Sequence, residues 1–244
     1  MVSAWDLPPD RLILPNDEVH VWRVQLDLPS TDIQTLLQTL GKDESERVGR
    51  YHFERDRQRF IARRGWLRLL LGRYLDRDPV ELRFVYNSYG KPALAPVPGA
   101  SALNFNLSHS AGLALCAFVR EREVGVDIEQ VHADFEHEQI AERFFSPYER
   151  SVLHSLPPEE KAAAFFACWT RKEAFIKAHG EGLSLPLDQF DVSLAPGEPA
   201  RLLAGRGGLV ILPWALQDLE IEPSFAAALA VKGYDLKVKR WRVN

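Results

Sequence analysis

The order strand, long proline-free helix, continuous apolar strand occurs twice in this chain, and that repetition constrains its fold more than any other feature. In the first pass, Trp22, Val24, Leu26 and Leu28 alternate with Arg23, Gln25 and Asp27, the period of a half-buried strand. Glu54 to Leu75 follows without proline, with Phe60, Trp66, Leu67, Leu70, Leu71 and Tyr74 at helical spacing, and Leu113 to Val119 is a continuous apolar run of buried-strand type. In the second pass, Val124, Val126 and Ile128 alternate with Gly125, Asp127 and Glu129. Glu159 to His179 is a second proline-free helix, ended by Gly180 and Gly182, and Phe225 to Val231 a second apolar strand. Matching Val21 with Val124, Phe60 with Phe165 and Leu113 with Phe225 gives offsets of 103, 105 and 112, which predicts two similar halves, 1–122 and 123–244, meeting near Arg122. A cleft between such halves is the natural place for a ligand.

The remaining segments read more simply. Ser30, Thr31 and Asp32 are set to cap a helix running to Leu40, with Gly41 as its stop. Gly90 to Gly99, rich in proline and glycine, reads as a loop. The tail after Tyr234, with Lys237, Lys239 and Arg240, reads either as a short closing strand or as a disordered end. A formal charge of -4 argues against a surface built to neutralise nucleic acid. Met1 to Asp10 has no basic segment before an apolar run, and Ala111 to Val119 is far too short to span a bilayer, so a cytoplasmic protein is expected. Cys116 and Cys168 sit in apolar stretches as small buried thiols.

Three clusters could carry chemistry. Residues two apart in a strand share a face, so Asp127 and Glu129 present two carboxylates together while Val126 and Ile128 enter the core. A hard divalent cation relieves such repulsion, and Mg2+ suits few carboxylates completed by water and phosphate. In the helix, Glu173 and Lys177 are four apart, beside Phe165, Trp169 and Ile176; a half-buried Glu173 needs a partner, which Lys177 or a metal would supply. Lys172 falls near the apolar stripe and spoils the pattern. Asn104 to Ser110 places hydroxyl, amide and imidazole groups just before a buried strand, suited to phosphate or substrate. No Gly-x-Ser-x-Gly elbow accompanies Ser108 and His109, so a serine hydrolase is not expected. From Gly41 to Arg77 the chain carries Lys42 and ten arginines against six acids, a basic region fit for the phosphates of a nucleotide-like substrate.

Gly-Lys-Pro (90–92), Phe-Asn-Leu-Ser-His-Ser (105–110), Gly-Val-Asp-Ile-Glu (125–129), Arg-Phe-Phe-Ser (143–146) and Trp-Thr-Arg-Lys-Glu-Ala-Phe-Ile-Lys (169–177), in that order, strongly resemble the Sfp-like 4'-phosphopantetheinyl transferases. The resemblance covers Gly90 to about Phe190 and weakens toward both ends. It implies an α+β fold of α/β type: a monomer of two subdomains related by a pseudo-twofold axis, each a small sheet on a long helix, with coenzyme A in the cleft. It implies Mg2+, with Mn2+ as a substitute, held by Asp127, Glu129 and Glu173. Lys91, Ser108, His109 and Lys177 match positions that contact coenzyme A. Arg47, Arg50, Arg59 and Arg64 are the upstream choices for its phosphates, and Glu44 stands where relatives can carry lysine.

The activity implied is transfer of phosphopantetheine from coenzyme A to a serine of an apo acyl carrier protein, or of a carrier domain in fatty-acid, polyketide or nonribosomal-peptide synthesis. Neither nucleic acid nor membrane is an expected partner. Glu173, directly or through water, would take the serine proton, and Lys177 and His109 would stabilise the departing adenosine 3',5'-bisphosphate electrostatically. A noncatalytic binder could share the scaffold; the set of three acids speaks for catalysis.

Overall fold

The computed structural model describes residues 5–96, 101–132, 137–180, 182–234 and 237–243, the Leu183 side chain excepted. The first half runs β1 (Glu18–Gln25), α1 (Ser30–Leu37), α2 (Lys42–Val48), α3 (Glu54–Leu75), β2 (Phe84–Tyr86), β3 (Pro92–Leu94), β4 (Leu103–Ser110) and β5 (Leu113–Arg120). The second runs β6 (Val124–Gln130), α4 (His137–Phe144), α5 (Pro147–Ser155), α6 (Pro158–His179), β7 (Phe190–Val192), β8 (Leu202–Gly205), β9 (Trp214–Asp218), β10 (Phe225–Lys232) and β11 (Lys237–Arg242).

Two sheets lie between two long helices. One sheet has the order β11-β1-β5-β4 and the other β6-β10-β9. Trp22 and Val24 of β1 and Ala114, Cys116 and Phe118 of β5 pack with Leu67, Leu70 and Leu71 of α3. Their alternate neighbours, Val19, Val21, Leu115 and Ala117, turn to the other face and meet Val126, Ile128, Leu229 and Val231 of the second sheet. Beyond that sheet, Ala228 and Ala230 pack with Phe175 and Ile176 of α6. Strand β5 therefore reads as a continuous apolar run because both of its faces are covered. The same holds for β1, which begins at Glu18 and is buried on both faces over His20 to Trp22 rather than half-buried.

The two halves repeat one device. Helices α3 and α6 have 22 residues each and end on left-handed residues, Asp76 at φ 52° and Gly180 at φ 88°. Ahead of α3, Glu44 caps the Gly41 amide at 3.1 Å and is gripped by Arg64 and Arg68, and Arg68 donates onward to the carbonyls of Pro79 and Leu82. Ahead of α6, Glu149 caps the Ser146 amide at 2.9 Å and pairs with Lys172 at 2.8 Å, and Lys172 donates to the carbonyls of Leu187 and Phe190. Glu44 and Glu149, like Gly41 and Ser146, are 105 positions apart, the offset that separates Phe60 from Phe165. Lys172, out of place on an apolar stripe, is thus the buried counter-charge of a carboxylate.

Two segments differ from expectation, and a third settles between two readings. Helix α1 stops at Leu37 with Pro29 as its N-cap and no side-chain cap bond, and Gly41 opens α2 instead of closing α1. The Gly90 loop contains β3, which pairs with β2 to make a hairpin; its residues 97–100 lie outside the described residues. Of the two readings of the tail, the closing strand is the one formed: β11 lies parallel to β1, Trp22 opposite Trp241, so the chain's end completes the first half's sheet. Both cysteines are free and buried, in separate cores.

Candidate active site

The two sheets join side by side at β4 and β6 through side chains instead of a backbone ladder. Asn104 donates to the Arg122 carbonyl at 2.8 Å, the Val126 amide donates to Asn106 Oδ1 at 2.9 Å, Ser108 donates to Asp127 at 2.7 Å and Ser110 to Glu129 at 2.9 Å. The polar cluster of Asn104 to Ser110 is therefore a set of rungs, one residue in two, as strand geometry requires. Onto this junction α6 presses its backbone at Gly125, where a Cβ would stand 2.1 Å from the Ala174 carbonyl oxygen. Only glycine permits that approach, and it brings Glu173 and Lys177 to the acids of β6.

Lys177 Nζ lies 2.6 Å from Asp127 Oδ1 and 2.9 Å from Ser108 Oγ. Burial pushes Asp127 up, opposed by Lys177 and Ser108, and its second oxygen, Oδ2, is buried without a hydrogen-bond partner among the described residues. Burial and then the Asp127 charge raise Glu129. Glu173 is raised to about 7, first by burial and also by Asp127 and Glu129, with Lys177 pulling the other way. Among the described residues no three acids or imidazoles already converge as a ready ligand group. The donor set nevertheless fits a hard cation: three carboxylates that disfavour one another's charge, one offering a buried oxygen with nothing on it.

The basic residues separate on folding. Arg64 is buried against Glu44, and Arg59 is held by Asp27 through two bonds of 2.7 Å. Arg47 lies over the Phe60 ring at 5.3 Å, and Arg50 is exposed. Lys91 Nζ donates to the carbonyls of Ala178, at 3.1 Å, and Val124, so its ammonium sits at the negative end of α6; burial lowers it to about 8. Its neighbours Gly90 and Pro92 line a cavity of about 300 Å³ with Arg47, Arg63 and Arg64. His109, pushed down to about 4 by burial and then by Arg63, Lys177 and Arg59, enters as a neutral imidazole that offers a hydrogen bond rather than a charge. Sequence reasoning passed over Arg63, whose half-burial beside Phe60 follows from its place one turn after Arg59 and Phe60 on the same face of α3.

Comparison with known proteins gives the family. A family model described as the 4'-phosphopantetheinyl transferase superfamily matches residues 123–230, and one described as the N-terminal part of 4'-phosphopantetheinyl transferase matches residues 28–120. The chain is 42% identical over 238 residues to the 4'-phosphopantetheinyl transferase HetI of a Nostoc species, covering 98% of each. It is 32% identical over 178 residues to the transferase Sfp of Bacillus subtilis, covering 72% of this chain and 77% of that one. It is 28% identical to the L-aminoadipate-semialdehyde dehydrogenase-phosphopantetheinyl transferase of Mus musculus, over 82% of this chain and 69% of the relative. With near full-length identity of that order to HetI, the chain belongs to the 4'-phosphopantetheinyl transferase superfamily.

Proposed function

We propose that the junction of β4, β6 and α6 is where this protein moves 4'-phosphopantetheine from coenzyme A to the serine of an apo carrier protein, giving the holo carrier and adenosine 3',5'-bisphosphate. The observation that carries this reading is the cluster of Asp127, Glu129, Glu173 and Lys177, with Asp127 Oδ2 buried and without a hydrogen-bond partner among the described residues. Asp127, Glu129 and Glu173 are the residues that would hold Mg2+, with Mn2+ as a substitute. Such an ion supplies neutralisation of charge on phosphoryl oxygens.

The chain's own groups do the rest. Glu173, on the face of α6 that meets the acids of β6, is the carboxylate placed to accept the carrier serine's proton. The serine oxygen bonds to the β-phosphorus as the bond from that phosphorus to the bridging oxygen breaks. Lys177, Ser108 and neutral His109 orient the diphosphate and offer donors to the departing nucleotide. Lys91 secures the hairpin against α6, a positioning role. The enzyme works as a cytoplasmic monomer whose two halves meet near Arg122 and flank the site, β11 crossing back to complete the first half's sheet, and its partners are carriers of fatty-acid, polyketide or nonribosomal-peptide synthesis. Among the described residues no helix is long and apolar enough to cross a membrane.

The test is incubation of the protein with apo carrier protein, coenzyme A and Mg2+, read by intact carrier mass. A gain of one phosphopantetheine that EDTA abolishes is the expected result. A gain that survives EDTA removes the metal from the reading, and no gain on carriers of all three kinds removes the carrier.

A further inference from the structure

Two serines of β4 each hold one acid of β6. Ser108 donates to Asp127 Oδ1 at 2.7 Å and Ser110 to Glu129 Oε2 at 2.9 Å. Both protons are committed, because each hydroxyl oxygen also accepts a bond: Ser108 from Lys177 Nζ at 2.9 Å, Ser110 from the Gln130 amide at 3.0 Å. A hydroxyl has one proton to give, so it goes to the carboxylate in both cases. The rungs at Asn104 and Asn106 fix the register, and neither serine can slide to the other's acid. Each carboxylate thus has one oxygen turned toward β4. Left over are Asp127 Oδ2, buried without a hydrogen-bond partner among the described residues, and Glu129 Oε1, since Ser110 takes Oε2 alone. The two pairs differ in one respect. Asp127 Oδ1 is held by Lys177 as well as by Ser108, whereas among the described residues Ser110 is the side chain that holds Glu129.

Cations differ in how they use such a group. Ca2+ gathers about six to eight oxygens and often takes both oxygens of one carboxylate, whereas Mg2+ demands near-octahedral geometry and completes its set with water and phosphate. A carboxylate with one oxygen bonded to a neighbouring strand cannot turn both oxygens onto one ion, so it is held for the second mode. We infer that Ser110 is a positioning residue that restricts Glu129 to ligation through one oxygen, and that it thereby sets the preference of this site for a small cation over Ca2+. The inference rests on the metal reading of Asp127, Glu129 and Glu173 given above. Ser108 acts on Asp127 in the same way, but Lys177 backs it there, so the selectivity depends on Ser110.

The test loads the full chain, with coenzyme A present, with Mn2+, whose free ion is counted by its paramagnetic resonance signal, and displaces it with Mg2+ or with Ca2+. The wild-type chain is expected to favour Mg2+. Ser110→Ala is expected to shift the ratio of the two affinities toward Ca2+ by about tenfold, the scale on which groups behind a metal ligand act. Ser110→Thr, which keeps the hydroxyl, should restore the wild-type ratio. Ser110→Cys, a weaker donor, should shift the ratio in the same direction as Ser110→Ala and stands in should that variant not fold. An unchanged ratio in Ser110→Ala, or equal losses for both ions, would overturn the inference and leave Ser110 as a strut between two strands, with the metal reading intact. A wild-type chain that prefers Ca2+ overturns it too. If the wild-type chain binds none of the three ions, the metal reading beneath the inference fails with it.

Discussion

Lys177 reaches across the sheet junction to Asp127 Oδ1, 2.6 Å away, and makes no ion pair with Glu173 one turn earlier on its own helix. The buried Asp127 has the greater need of a cation, since its other oxygen has no hydrogen-bond partner among the described residues. Lys177→Met is therefore expected to destabilise the metal-free protein by about 2 kcal/mol, less than for a fully buried pair because Lys177 is part exposed. Adding Asp127→Asn should recover most of that loss. Urea unfolding of the two single variants and the double variant in EDTA measures the coupling; additive losses would show that the pair does not act as one.

Glu173 should cost the free protein stability. Its carboxyl is raised from 4.5 to about 7, so the folded state holds the proton more tightly, and stability falls as pH rises through that window and stays reduced above it. Glu173→Gln should raise the melting temperature in EDTA by about 5 °C at pH 8 and leave it unmoved at pH 4.5. The same variant should lose roughly 10²–10⁴-fold in transfer rate while still binding coenzyme A. A variant with normal turnover would remove Glu173 as the base.

Lys172 and Glu149 are both fully buried, so Lys172→Met leaves a carboxylate with no counter-charge. The expected loss is about 3–5 kcal/mol by denaturant unfolding, partly recovered by Glu149→Gln. A loss below 1 kcal/mol would mean that neither the charge of Lys172 nor its bonds to the two carbonyls hold the fold.

His109 should titrate near pH 4 in the free protein. Adding adenosine 3',5'-bisphosphate should raise that value by offsetting the nearby arginines. Imidazole NMR shifts followed between pH 3.5 and 8 measure both, and a free-state value near 6.5 would contradict the burial argument.

Gly125→Ala drives a methyl group into the α6 backbone at Ala174 and Ala178. Backbone cannot yield as a flexible side chain can, so the helix must shift and carry Glu173 and Lys177 with it. Transfer is expected to fall more than a hundredfold even where circular dichroism shows a folded protein, because misplacement of about 1 Å is enough. Near-normal transfer would mean that Gly125 does not set the site.

The sequence by itself determined the repeat, the two long helices and the pairing of Asp127 with Glu129 on one strand face. Those features are set by local periodicity, and Glu54–Leu75 needs only its apolar spacing and lack of proline to be read. Tertiary structure alone decided which charge meets which. Arg64 and Arg59 look like Arg63 along the chain, yet folding gives the first to Glu44 and the second to Asp27, and leaves Arg63 Nε with no hydrogen-bond partner among the described residues. Lys177 could face Glu173 by helical spacing, but the close approach at Gly125 hands it to Asp127. Partners lying 20 to 50 residues away in sequence, such as Glu44 and Arg64 or Asp127 and Lys177, are set by packing between elements, which no local pattern records.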